Sequence, residues 1–164
     1  MASDRGSTDE RRVEATAEAL QSDYLATQYH YVQFLTEHLV DCAAAFGGDL
    51  DSVLVIAVLG QRRLEIYRED PDGIRPDVAR IAMSALRISD VSGIPRETVR
   101  RKLEGLRRRG WIDRHPRHGW YIAGTNLATP ARQALQGLEL RSFRRLARLH
   151  LRLSEVLARH GGSP

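Results

Sequence analysis

Residues 96 to 109 read RETVRRKLEGLRRR, a run in which arginines dominate and two glutamates are interspersed. On a helix Glu97 and Arg101 lie one turn apart, and Arg100 follows Arg96 by four, so these side chains are neighbours along one flank. Thr98 and Lys102 add a hydroxyl and an ammonium within the same turns, and Arg114, Arg117 and His118 follow shortly after. Such a group can engage a polyanion. Arginine grips guanine O6 and N7 with two hydrogen bonds, and glutamate accepts from cytosine N4. Cations at a helix C-terminus also complement its dipole by about 0.3–1 kcal/mol each, which gives Arg107, Arg108 and Arg109 a purely structural explanation.

The charge distribution strengthens the polyanion reading. The 164-residue chain carries a net +4. Residues 1–85 hold eight Arg against fifteen Asp and Glu, net −7; residues 86–120 hold ten Arg and Lys against four acids, net +6; residues 121–164 hold seven Arg against two acids, net +5. Signs sorted along a chain in this way place positive charge for a partner. Catalysis finds no comparable support. His30, His38, His115, His118, His150 and His160 lack the spacing of a metal site, and no Gly-rich phosphate loop is present. No metal and no cofactor are expected. Cys42, the single cysteine, lies in an apolar-periodic stretch and reads as a buried structural thiol. MASDRGSTDE lacks the apolar centre of a secretion signal and no stretch is long enough to span a membrane, so the expectation is a soluble, cytoplasmic protein.

The elements that must position the basic residues follow from apolar spacing and turn residues. Residues 1–10 are expected to form a disordered tail, and 11–48 a long helix marked by Val13, Ala17, Leu20, Tyr24, Tyr31, Leu35, Leu39, Cys42 and Phe46. A helix of that length is either broken near Thr27 or packs against something outside its own domain. Asp49 or Asp51 can cap a second helix that Pro71 and Gly73 stop. Residues 77–83 fit a short helix or a strand. Ser84 is a candidate N-cap, Gly93 can take the positive φ of a sharp turn, and Pro95 suits a helix start. Val99, Leu103 and Leu106 then share one face. Trp111 to His115 and Trp120 to Ile122 read as two strands joined around Pro116 to Gly119, with the two tryptophans as anchors. Thr129-Pro130 opens a last helix that Gly161-Gly162 ends.

Helix, sharp turn, basic helix and hairpin, in that order, are the parts of a winged helix-turn-helix. SGIPRETVRRKLEGLRRRGWI resembles the recognition-helix region of bacterial winged-helix regulators, and RETVRR is similar to the Arg-Glu-Thr-Val-x-Arg core of the Crp/Fnr family. That resemblance implies base-edge contacts from Arg96, Glu97 and Arg101 and a phosphate contact from Thr98. Arg100 joins the base-contacting group by its position, and Lys102, Arg114, Arg117 and His118 join the backbone contacts. The match covers about residues 84 to 122, and upstream the chain reads as helices where that family has a β-roll. Cyclic-nucleotide sensing is therefore not carried over. Long helices on both sides of a winged helix look more like MarR-type regulators, whose terminal helices form the dimer.

The fold expected is mostly α with a small β-wing: tail 1–10, N-terminal dimerisation helix 11–48, winged helix-turn-helix 49–124, and C-terminal dimerisation helix 125–164. The function expected is that of a homodimeric, sequence-specific transcriptional regulator of double-stranded DNA, with repression as the default and no enzyme activity. The alternative is a winged-helix adaptor that docks on an acidic protein. Arg141, Arg145, Arg148 and Arg152 form a stripe whose preferred partners are Glu14, Glu18, Glu37 and Asp41 of the first helix, in the same or the other subunit. Tyr24, Tyr29, Tyr31, Phe34 and Trp120 can line a pocket for a small-molecule effector, although an aromatic core stripe is the favoured reading.

Overall fold

A computed structural model describes residues 2–69, 77–125 and 127–159. It is mostly helical with one small antiparallel sheet. The chain divides into two compact units: residues 1–41 with 140–164, and residues 42–139. These divisions differ from the four segments read along the sequence, because the first and last helices share a unit. The expected turn at Pro71 and Gly73 and the helix stop at Gly161-Gly162 lie outside the described residues, as does His160.

The first unit contains α1 (Ala2–Ser22), most of α2 (Tyr24–Phe46) and most of α8 (Gln136–Arg159). The helix already runs through residues where a disordered tail is expected. The long helix is broken at Asp23, four residues before the expected place. There the Asp23 carboxylate accepts from Ala26 N at 3.3 Å, starting α2, and the Thr27 hydroxyl donates back to the Leu20 carbonyl at 2.8 Å. Each bond satisfies a backbone group that a helix end leaves open. Within this unit Arg141 donates to Asp41 at 2.8 Å, Arg145 to Glu37 at 3.0 Å and also to Asp41, and Arg148 lies 3.7 Å from Glu37. Arginines of the expected stripe thus meet acids of the second helix in the same chain. Arg152 instead pairs with Glu155 on its own helix, and Glu14 and Glu18 are exposed. Hydrogen bonds from Arg145 and then Arg141 hold the Asp41 carboxyl below its ordinary range.

The second unit begins at the end of α2 and contains α3 (Leu50–Glu69), α4 (Val78–Ile81), α5 (Ala85–Ser92), α6 (Arg96–Arg108), β1 (Ile112–His115), β2 (Gly119–Ile122) and α7 (Pro130–Ala134). Asp49 is the cap of α3: Ser52 N donates to it at 3.1 Å and the Ser52 hydroxyl at 2.7 Å. Residues 77–83 take the short-helix reading, followed by a single β-bridge rather than a strand. Asp77 caps the single turn of α4, and Met83 then pairs with Trp120 through two backbone hydrogen bonds of 2.9 and 2.8 Å. Gly119 makes that pairing possible. Its φ is +103°, and a Cβ there would fall on the Met83 carbonyl, so both its conformation and its neighbour require glycine.

The core of this unit collects Val55 and Leu59 from α3, Ile88 from α5, Val99, Leu103 and Leu106 from α6, and Ile112, Trp120 and Ile122 from the hairpin. All are nearly or fully buried. Val99, Leu103 and Leu106 do share one face, as their spacing requires. Arg63 of α3, also buried, ties the sheet down by donating to the Ile122 and Gly124 carbonyls, at 3.0 Å each. The last helix is offset: Thr129 and Pro130 open α7 as expected, with Arg132 N donating to Thr129 Oγ1 at 3.1 Å, but the chain leaves α7 at Leu135 before α8 begins.

Candidate nucleic-acid interface

Three residues fix the two ends of α5 and the turn into α6. Ser84 caps α5 by accepting from Arg87 N at 3.1 Å, and Gly93 closes it in the left-handed conformation with φ +71°. Ile94 plugs the turn, 6% exposed, and its carbonyl accepts from the Ser89 hydroxyl at 2.7 Å. Pro95 takes the N-cap position of α6, one residue earlier than the helix start that its ring would suit, and offers no side-chain cap. With Val99, Leu103 and Leu106 locked in the core, the opposite face of α6 is held outward.

On that face Arg96, Glu97, Arg100 and Arg101 are all exposed. Arg100 pairs with Glu97 at 3.1 Å, and both remain open to solvent. Arg96 and Arg101 have no ion-pair partner among the described residues. Thr98 is half-buried beside them. Glu97, Thr98, Arg100, Arg101, Glu104 and Arg108 together line one shallow hollow on the helix.

Lys102 differs from its neighbours. Its side chain is 19% exposed and its ammonium donates to Asp49 at 2.6 Å, so its charge is directed at the N-terminus of α3. Sequence places Lys102 among the backbone contacts; in the folded chain its ammonium is engaged by Asp49. Burial pushes the Asp49 carboxyl up, but hydrogen bonds from Lys102 and Ser52 outweigh it and leave the group below its ordinary range. Nothing in the local sequence signals this pair, because Asp49 is 53 residues away.

The hairpin presents Arg114, Arg117 and His118 on its exposed surface. Arg114 lies over the Trp120 ring, 5.5 Å from its centroid. His115 organises the turn: its Nδ1 accepts the backbone N–H groups of Arg117 and His118 at 3.2 Å each, and its ring stacks on that of His118 at 4.5 Å. His115 is thus a contributor that the sequence reading passed over; the signal available was a histidine just ahead of a Pro-containing turn. Beside it the Tyr121 hydroxyl donates to Asp113 at 3.4 Å, and burial followed by the Asp113 charge raises its pKa.

The aromatic residues read as a core stripe are mostly outside any core. Tyr24, Tyr29 and Tyr31 are 63%, 66% and 48% exposed. Trp120 is buried in the second unit, whereas Tyr29 and Phe34 line an open cleft of about 240 Å³ in the first, with Glu37, Arg145 and Arg148. Cys42 is buried, as expected. Among the described residues no cluster has the composition of a metal site, and no single helix is long and apolar enough to cross a membrane. Comparison with family models, curated proteins and solved structures finds no match.

Proposed function

We propose that this chain is a sequence-specific DNA-binding transcriptional regulator built on a winged helix-turn-helix. In this reading α5 braces α6, the N-terminal half of α6 enters the major groove, and the hairpin acts as the wing against the flanking backbone. One observation carries the reading: an arginine-rich face on α6, with Arg96 and Arg101 unpaired among the described residues, is held outward by a core-locked opposite face. Base contacts fall to Arg96, Glu97, Arg100 and Arg101, and backbone contacts to Thr98, Arg114, Arg117 and His118. Lys102 drops out, being committed to Asp49.

The regulator is a homodimer in this proposal, assembled through the terminal helices. Its support is the exposed apolar surface within the first unit: Leu25, Val32 and Val40 on α2 are 81%, 50% and 62% exposed, and Phe143 and Leu151 on α8 are 60% and 63% exposed. A monomer rarely leaves so much apolar surface in water. Two copies would read a two-fold symmetric site, and occupancy of that site gives repression as the simplest outcome. The work is then done in the bacterial cytoplasm, where the chromosome lies. A small-molecule effector has a candidate place in the cleft beside Tyr29 and Phe34.

The test is selection from a pool of random duplexes at about 150 mM salt, with the retained fraction sequenced. The expected outcome is enrichment of a two-fold symmetric motif. A rival reading, docking on an acidic protein, draws on Glu97 and Glu104, which thin the positive charge of the α6 face. Absence of duplex retention would select the rival.

A further inference from the structure

The arginines of α6 fall into two groups. Arg96 and Arg108 are twelve residues apart, about 18 Å along a helix, whereas the major groove is about 12 Å wide. A helix that enters the groove by its N-terminal half therefore carries its last turn beyond it. That last turn borders a second depression, of about 420 Å³, lined by Asp49, Arg101, Lys102, Gly105, Arg108 and Arg109. Gly105 borders it without a side chain, and a Cβ added there would meet nothing closer than the Arg108 guanidinium at 3.9 Å.

The charges around this depression are unequal in their commitments. Lys102 and Asp49 neutralise each other at 2.6 Å. Arg101, Arg108 and Arg109 have no ion-pair partner among the described residues. Arg109 is held in place without an acid: its guanidinium lies 5.2 Å from the Trp111 ring centroid and 6.0 Å from that of Phe46. Aromatic faces fix a guanidinium while leaving its N–H edge free to donate. The helix C-terminus contributes about half a negative charge, which offsets only part of three full positive ones.

From this we infer that the depression around Gly105 is a phosphate-binding site, with Arg101, Arg108 and Arg109 as its donors. Three guanidinium groups at one concavity match the several oxygens of a phosphate or pyrophosphate group, each able to accept charge-assisted hydrogen bonds. The phosphate comes either from the backbone of DNA flanking the groove-bound helix or from a free phosphorylated molecule. Arg101 and Arg108 also border the hollow on the proposed DNA-reading face, whereas Arg109 belongs to this site alone.

The experiment titrates inorganic pyrophosphate into the full chain at constant ionic strength, following tryptophan emission, which Trp111 beside Arg109 supplies. A saturable change with a midpoint below about 1 mM is expected, raised at least about tenfold in Arg108→Gln or Arg109→Gln. Arg107→Gln is the control, because Arg107 faces Glu104 at 3.9 Å and does not border the depression; its midpoint stays unchanged. Circular dichroism melting checks that each variant folds, and either of the two arginine variants suffices. A response that sodium chloride reproduces, or one that both variants leave unaltered, overturns the site. Duplex binding separates the sources. A salt slope lowered by about one in Arg108→Gln, with pyrophosphate competing, assigns the site to backbone phosphate; an unchanged slope without competition assigns it to a free ligand. Pyrophosphate saturation without any duplex retention would sink the DNA reading and leave this site standing. Motif enrichment without a pyrophosphate response would do the reverse.

Discussion

Replacing Arg101 and replacing Lys102 should have opposite consequences, although the two are adjacent in the chain. Arg101 is exposed and unpaired among the described residues, so Arg101→Ala is expected to leave the urea midpoint unchanged and to cost about 1–3 kcal/mol of duplex affinity at one base position. Lys102→Gln removes the partner of Asp49 in a half-buried pair. Its expected cost is about 1 kcal/mol of stability, with duplex affinity per folded molecule retained. Urea denaturation and fluorescence anisotropy on both variants separate the roles; uniform loss of affinity in both would contradict the assignment. The same carboxylates give a pH signature. Asp49 and Asp41 have pKa values lowered below the ordinary 3.8. Their contribution to stability is therefore complete above about pH 4 and is lost as pH falls further, through the lowered folded-state values. A urea midpoint followed from pH 7 to pH 3 should be level over the upper range as far as these two groups are concerned. Its acid-side fall should shrink in Asp49→Asn.

At the scale of elements, the hairpin depends on a close approach that only glycine permits. Gly119→Ala introduces a Cβ against the Met83 carbonyl at a residue with φ +103°. Relief requires parting the Met83–Trp120 pairing, and a loss of about 1–3 kcal/mol is expected, read by thermal melting. Because Arg114, Arg117 and His118 ride on the strands and turn that Gly119 fixes, duplex affinity should fall as well, in a manner insensitive to sequence. The helix α6 is steadied differently. Leu103 is fully buried among residues of α3, α5 and the hairpin, and Leu103→Ala is expected to cost about 2–5 kcal/mol. Much of this element was legible beforehand. Gly93, Val99, Leu103 and Leu106 announce a turn and an inward face through local geometry, whereas apolar periodicity continues across the break near Thr27 and does not mark its place at Asp23.

For the whole molecule, the proposed dimer makes the exposed apolar faces of α2 and α8 the place to intervene. Leu25→Glu and Leu151→Glu each set a charge in surface that would be buried on association. Sedimentation velocity should show the parent chain as a dimer at micromolar concentration, and the variants dissociating at concentrations at least about tenfold higher than the parent. Since 1.4 kcal/mol is tenfold in an equilibrium constant, even partial desolvation of a carboxylate reaches that size. A parent chain that stays monomeric would remove the two-fold operator from the functional reading while leaving the α6 face intact.

The sequence by itself determined the local features: the N-cap at Ser84, the positive φ at Gly93, the Thr129-Pro130 helix start, the inward face of α6 and the segregation of acidic from basic halves. Each depends on residues within one or two turns of one another, where backbone geometry and side-chain spacing dictate the outcome. Only the tertiary structure decided which acidic groups the basic side chains meet. Lys102 meets Asp49 across 53 positions, Arg145 meets Glu37 and Asp41 across more than a hundred, and the tyrosines of α2 emerge exposed. A charge's partner and an aromatic ring's burial are properties of neighbours brought together by folding, and local spacing carries no record of them.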